Sequence, residues 1–174
     1  NVTVTIKSTN GTDDFFPHQG SINVYYIDEE TGGAAEVTQT LVNGLIPFSF
    51  AFDGSGNLLL SEAFGGGNLG QPNTGGVSYY ENVDSSVPSF LSTANTTQTT
   101  TCWVRYNERN SCAFTTNNGG SSITSLTVQN GNVKVLDPVA ATLDVPVDLN
   151  FSPDQKFLYA LVSTMLFSIS FLSF

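Results

Sequence analysis

The chain has 174 residues, a formal net charge of −10 and only five basic side chains. That length suffices for one domain with a real core, while the charge leaves no basic groove for nucleic acid and opposes docking on an anionic membrane. Charged residues make up just 11%, so Ser, Thr, Asn, Gln and Gly must carry the surface, as in many secreted proteins built of strands and turns.

In chain order, NVTVTIK alternates as a strand and has no charged-then-apolar leader before it, so it is expected to be a mature or cut N-terminus. The polar segment STNGTDDFFPHQG contains the only histidine, His18. SINVYYID is the next strand. The acidic YIDEETGG (Asp28, Glu29, Glu30) lacks the alternating Asp/Asn spacing of a calcium loop and is expected to be a solvated turn leading into AEVTQTLV.

Three windows then align without gaps: PFSFAFDGSGNLLLSE from Pro47, TCWVRYNERNSCAFTT from Thr101 and PVDLNFSPDQKFLYAL from Pro146. Phe48, Phe50 and Phe52 match Cys102, Val104 and Tyr106, and these match Val147, Leu149 and Phe151. That is one apolar face with a period of two, the mark of a strand. The turns DGSG, NERN and SPDQ supply backbone angles for tight hairpins. Each window continues through a second strand (NLLLSE, SCAFTT or KFLYAL). After the first two windows a polar Gly/Asn loop leads to a third strand, VSYYENV or ITSLTV. A fourth follows, NVKVLDPV in one unit and a weaker stretch around Phe90 in the other. GGGNLGQPNTGG is a long loop between strands and no phosphate cradle, since no helix with Lys-Ser/Thr follows it. The terminal MLFSISFLSF is ten residues long, against about 20 for a spanning helix, and reads as a buried strand. It lacks the polar loop found elsewhere, so residues after Thr164 are expected to depart from the pattern.

The repeating unit is therefore four short antiparallel strands every 45 to 54 residues, the period and strand count of propeller blades. The fold class is all-β: a partial β-propeller of about three and a half four-stranded blades, a single domain with units 1–46, 47–100, 101–145 and 146–174. No segment has helical spacing. A closed ring takes about four to eight blades, so the chain is expected to be part of a longer propeller. Self-association through exposed blade faces and edges is the alternative.

NFSPDQKFLYAL, CWVRYNERNSCAFTTNNGGSSITSLTVQNGNVKVLDPVAAT and PFSFAFDGSGNLLLSEA resemble the lactonase-type seven-bladed propellers, over residues 20 to 164. That group includes 6-phosphogluconolactonases, 3-carboxymuconate cyclases and secreted fungal relatives. The resemblance implies a ring about twice this length and, as its activity, lactone hydrolysis. Members use His, Arg and Glu near the central channel. No motif puts His18, Arg105 or Glu62 at those positions, so no catalytic residue is assigned.

The residues themselves offer a few candidates. Ser49, Trp103 and Asp148 share a repeat position in the strand that lines a propeller's channel, with Arg105 one step beyond Trp103. Trp103, Arg105 and Asp148 are candidate ligand-binding residues for a polar, carbohydrate-like ligand, with packing between blades as the alternative. Two Cys and one His cannot complete a four-ligand metal site, and no cofactor is expected. Asn1, Asn10 and Asn95 head glycosylation triplets, which point to an extracellular location; Asn150 lies in a strand with Pro153 after its triplet and is set aside. An ideal hairpin puts Cys112 opposite Tyr106, four residues or about 13 Å from Cys102, against the roughly 7 Å limit of a disulfide. An irregular turn with a disulfide, two separate thiols, and pairing beyond this chain all stay open. Two functions follow. One is a secreted, glycosylated, non-catalytic module for binding or self-assembly. The other, implied by the resemblance, is a lactonase or cyclising isomerase acting on a sugar lactone or carboxylated ring.

Overall fold

The computed structural model describes residues 2–7, 20–64, 73–83, 87–163 and 169–173, and among them there are strands and turns but no α-helix. β1 (Val2–Lys7), β2 (Ser21–Ile27) and β3 (Ala34–Leu41) make a three-stranded sheet. β4 (Leu45–Phe52), β5 (Leu58–Phe64), β6 (Gly76–Glu81) and β7 (Ser89–Asn95) make the second, four-stranded one. β8 (Thr101–Asn107), β9 (Cys112–Asn117), β10 (Ser122–Gln129) and β11 (Asn132–Thr142) make the third. β12 (Pro146–Phe151), β13 (Phe157–Val162) and β14 (Ile169–Ser173) close the chain as a three-stranded sheet. Every pairing is antiparallel between sequence neighbours. This is a partial propeller of antiparallel sheets, two of four strands and two of three among the described residues.

Three apolar layers between successive sheets hold it together. Ile22, Val24 and Val42 meet Leu58, Leu60, Tyr80 and Val83. Leu59, Val77, Tyr79 and Ala94 meet Val104, Ala113, Leu126, Val128 and Val133. Phe114 and Ile123 meet Leu149, Leu158 and Ala160. This explains the unbroken apolar run in β5. Leu58 and Leu60 face one neighbour and Leu59 the other, and all three are fully buried, each contributing about 1.5–3 kcal/mol of burial.

Two expectations change. β14 pairs with β13 in regular register from Leu161↔Ile169 to Phe157↔Ser173, so the blade pattern continues beyond Thr164 even without a polar loop. And the expected buried face of the second sheet's first strand is only partly covered. Phe50 is half-buried, whereas Phe48 and Phe52 are 45% and 44% exposed. The matching Val104 and Leu149 each face a complete sheet and are buried. β4 faces a three-stranded sheet, which covers it less.

β4, β8 and β12 are each the first strand of their sheet, and they lie side by side as the inner edge of the arc. The chain enters each of them through a residue with positive φ: Ile46 (52°), Thr100 (58°) and Val145 (36°). β-branched residues rarely adopt this conformation, and each costs roughly 1–3 kcal/mol. The repetition at all three entries marks it as a feature of the blade junction.

Candidate functional site

Each inner strand carries a register shift near its start. β4 is irregular between Pro47 and Ser49, β8 between Thr101 and Val104, and β12 between Pro146 and Asp148. Such bulges twist a strand locally and re-aim side chains, and they are common beside functional sites. Side-chain hydroxyls make up for the lost ladder bonds. Trp103 N donates to Thr116 Oγ1 (3.0 Å), and Thr115 Oγ1 donates to the Trp103 carbonyl (2.8 Å). Ser61 plays the same part at Ser49, accepting from its amide at 3.0 Å, and its hydroxyl also meets the Cys102 carbonyl of the next sheet.

The bulges bring the predicted residues together, but in altered combinations. Trp103 meets Phe48, edge to face at 4.6 Å and 72°, although Ser49 is its repeat equivalent. The half-buried Arg105 crosses from β8 to β12, where Nη2 lies 3.5 Å from Asp148 Oδ1, and its Nη1 donates to the Val104 carbonyl at 2.9 Å. Asp148 Oδ1 also accepts from the Leu149 amide (2.7 Å). The two side chains are 30% and 47% exposed, so the pair adds little stability, up to about 1 kcal/mol. Its carboxylate and guanidinium remain open to a ligand.

Glu62 is the buried ionisable group of this region, and sequence reasoning gave it no role. It stands on β5 opposite Pro47, fully buried. Its carboxyl accepts from the Gly44 amide (2.7 Å) and from Ser78 Oγ (2.5 Å). Burial pushes its pKa up to about 7, against the opposing pull of the bonds from Ser78 and Gly44. A side chain at position 44 would put a Cβ 2.6 Å from Glu62 Oε2, so the connection into β4 closes over this carboxyl only because residue 44 is glycine. The sequence shows a lone acid inside the otherwise uncharged run LLLSEAF, which does not by itself mark the acid as buried.

The cysteines are separate thiols. The four-residue turn 108–111 sets the hairpin register, so Cys112 lies opposite Asn107 and not opposite Tyr106, and the β8 bulge falls farther along, between Thr101 and Val104. That register puts Cys112 five residues from Cys102, about 16 Å along the strand, too far for a bond. Burial raises the Cys102 thiol to about 11 and also raises Cys112, so neither is an activated nucleophile.

The other candidates are dispersed. His18, Asn1 and Asn10 lie outside the described residues. Asn95 is exposed at the end of β7, where its Oδ1 accepts from the Thr97 amide (2.8 Å). The Asp28–Gly33 segment is an exposed turn in which Asp28 Oδ1 accepts from the Glu30 and Thr31 amides. Among the described residues no three His, Cys, Asp or Glu side chains gather as metal ligands, and no helix is long and apolar enough to cross a membrane.

No family model and no curated protein sequence matches the chain. Solved structures do match. A periplasmic gluconolactonase of Pseudomonas aeruginosa superposes with a TM-score of 0.69 at 17% identity, over 92% of this chain and 47% of that one. A functionally unknown protein from Desulfotomaculum acetoxidans gives 0.70 at 17% identity, over 99% and 51%. A gluconolactonase of Xanthomonas campestris gives 0.51 at 12% identity, over 82% and 41%. The chain spans about half the length of the solved structures it matches, and what it shares with them is the lactonase-like propeller fold.

Proposed function

We propose that the inner strands of this chain bind a sugar lactone and promote its hydrolysis as part of a lactonase-like propeller. The observation that carries this reading is the Arg105–Asp148 pair, set across two neighbouring inner strands beside Trp103. A guanidinium donates in a planar fork, well suited to the oxyanion that forms when water adds to a lactone carbonyl and to the carboxylate product. Asp148 accepts the proton of the attacking water. As the ring C–O bond breaks, Asp148 returns that proton to the departing ring oxygen, which leaves as a hydroxyl, and the carboxylic acid formed ionises and releases a proton. Trp103 offers an aromatic face to the sugar ring. Neighbours of this fold that are gluconolactonases support the substrate class. The test is proton release from δ-gluconolactone, corrected for spontaneous hydrolysis. Arg105→Ala should lower kcat/KM at least about tenfold, the loss of one charge-assisted hydrogen bond. No rate above buffer, or an unchanged rate in the variant, would sink the reading.

A second reading, the assembly module, draws on one specific surface. On β13, Leu158 and Ala160 are buried against the third sheet and Val162 is buried as well, while the alternating Phe157, Tyr159 and Leu161 are 43%, 40% and 52% exposed. A blade face of this kind is normally covered by the next blade. We assign the cover to a second copy of this chain, because two copies match the length of the solved propellers. Light scattering should then give a dimer at micromolar concentration, and Tyr159→Glu should shift it to monomer. A wild-type chain that stays monomeric would exclude this reading.

A further inference from the structure

We propose that the cleft between the second and third sheets, at the turns leading from β4 to β5 and from β8 to β9, is a binding site for a neutral sugar. The proposal is independent of the lactonase reading.

The cleft has a volume of about 470 Å³, within the range of small-molecule sites. The Asp53 and Asn57 side chains of one turn line it, with Tyr79 of β6, Tyr106 of β8, and Gln129 and Asn130 around the β10–β11 turn. Charge narrows the ligand. Asp53 is the one acid in the lining and no Lys, Arg or His accompanies it, so an anion meets repulsion and no counter-charge. A cation fares little better, because the carboxylate is already saturated. Oδ1 accepts from the Ser55 and Asn57 amides (2.8 and 2.9 Å), and Oδ2 accepts from Asn57 Nδ2 (3.2 Å) and from the Tyr79 hydroxyl. These four bonds use the four lone-pair positions of a carboxylate.

The unused groups are neutral. The half-buried Tyr106 hydroxyl and the exposed side-chain amides of Gln129 and Asn130 have no hydrogen-bond partner among the described residues, and all are able both to donate and to accept. A half-buried aromatic ring beside amides and hydroxyls, with no free charge, is chemistry matched to a pyranose. Its C–H face packs on the ring while its hydroxyls exchange hydrogen bonds with the amides. The repeat supplies a further argument. The positions equivalent to Tyr106 in the sister inner strands are Phe52 and Phe151, so blade packing does not call for the phenolic oxygen.

The test follows backbone amide shifts while the chain is titrated with D-glucose and, separately, with D-glucuronate. Saturable glucose binding is expected, with the shifts centred on Gln129–Gly131 and with glucuronate at least about tenfold weaker, the cost of a charge without a partner. Tyr106→Phe, which the sister blades show to be compatible with the fold, should weaken glucose about fivefold, the loss of one hydrogen bond. Absent saturation, equal affinity for glucuronate, or full affinity in Tyr106→Phe would each overturn the proposal.

Discussion

As the pH rises from 4.5 to about 7, the folded chain is expected to lose roughly 3 kcal/mol of stability. The source is Glu62. Its carboxyl titrates at 4.5 in the open chain and is raised to about 7 by burial in the fold. The folded state therefore holds this proton more tightly than the unfolded state. The resulting stabilisation is complete below pH 4.5 and disappears as the pH climbs through 7. Its neighbours reinforce the direction. Among the described residues no cation reaches the carboxyl, and the adjoining Tyr80 phenol is itself pushed up by burial and by the charge of Glu62. The exposed Asp28 and Asp154 and the half-buried Asp53 act in the other sense. Hydrogen bonds hold Asp28 and Asp154 low, and at Asp53 they outweigh an opposing burial effect. Their contribution is lost only as the pH falls below 3.8, the ordinary value of an aspartate. Maximum stability thus lies between these windows, on the acid side of neutrality. Urea midpoints across pH 4–8 read the slope. Glu62→Gln keeps the Gly44 bond and lets Ser78 accept from the new amide while it donates to Thr93 Oγ1, 3.1 Å away. It should flatten the curve between 4.5 and 7, and a slope that survives in this variant would move the origin to another group.

The repeat was legible because turn chemistry and strand alternation agreed. DGSG, NERN and SPDQ mark the ends of β4, β8 and β12, and the apolar alternation in the three windows lines up at Phe50, Val104 and Leu149. The bulges were not legible. A period-two alignment assumes every residue has one partner opposite, and Phe48, Trp103 and Val147 break that assumption. Nor was the hairpin register legible: the turn 108–111 puts Cys112 opposite Asn107, where Tyr106 was expected. The nearness of Arg105 and Asp148 was half legible. Shared repeat position put Trp103 and Asp148 at the same depth, but only the side-by-side packing of β8 and β12 brings the guanidinium to the carboxylate. Glu62 escaped because nothing local says which strand residue loses its water. That depends on Gly44 and Ser78, 18 and 16 residues away.

Gly75→Ala should cost roughly 3 kcal/mol or more, the upper range for overfilling a packed site, because this glycine is where the second and third sheets dovetail. Residue 75 is buried just before β6, its amide bonded to the Gln98 carbonyl (2.9 Å) and its carbonyl to the Thr96 amide (2.9 Å). An added Cβ would overlap Thr101 Oγ1 outright and stand 2.8 Å from Thr101 Cβ and 2.9 Å from the Gln98 carbonyl oxygen. Thr101 cannot step aside cheaply. It is fully buried, and its hydroxyl bonds Thr96 Oγ1 (2.9 Å) and Asn117 Oδ1 (2.8 Å). Asn117 in turn donates to Ser122 Oγ (3.1 Å) and Thr124 Oγ1 (2.9 Å). Displacing one hydroxyl thus disturbs a polar chain that runs from the second sheet across β8, β9 and β10, and a buried group left unpaired costs about 1–3 kcal/mol. Thr101→Ala removes the overlapping oxygen at the expense of that chain. If the clash is the cause, the double variant should be less destabilised than the two single losses combined, a coupling of roughly 1 kcal/mol or more. Strict additivity in urea denaturation would mean that the glycine is needed for another reason.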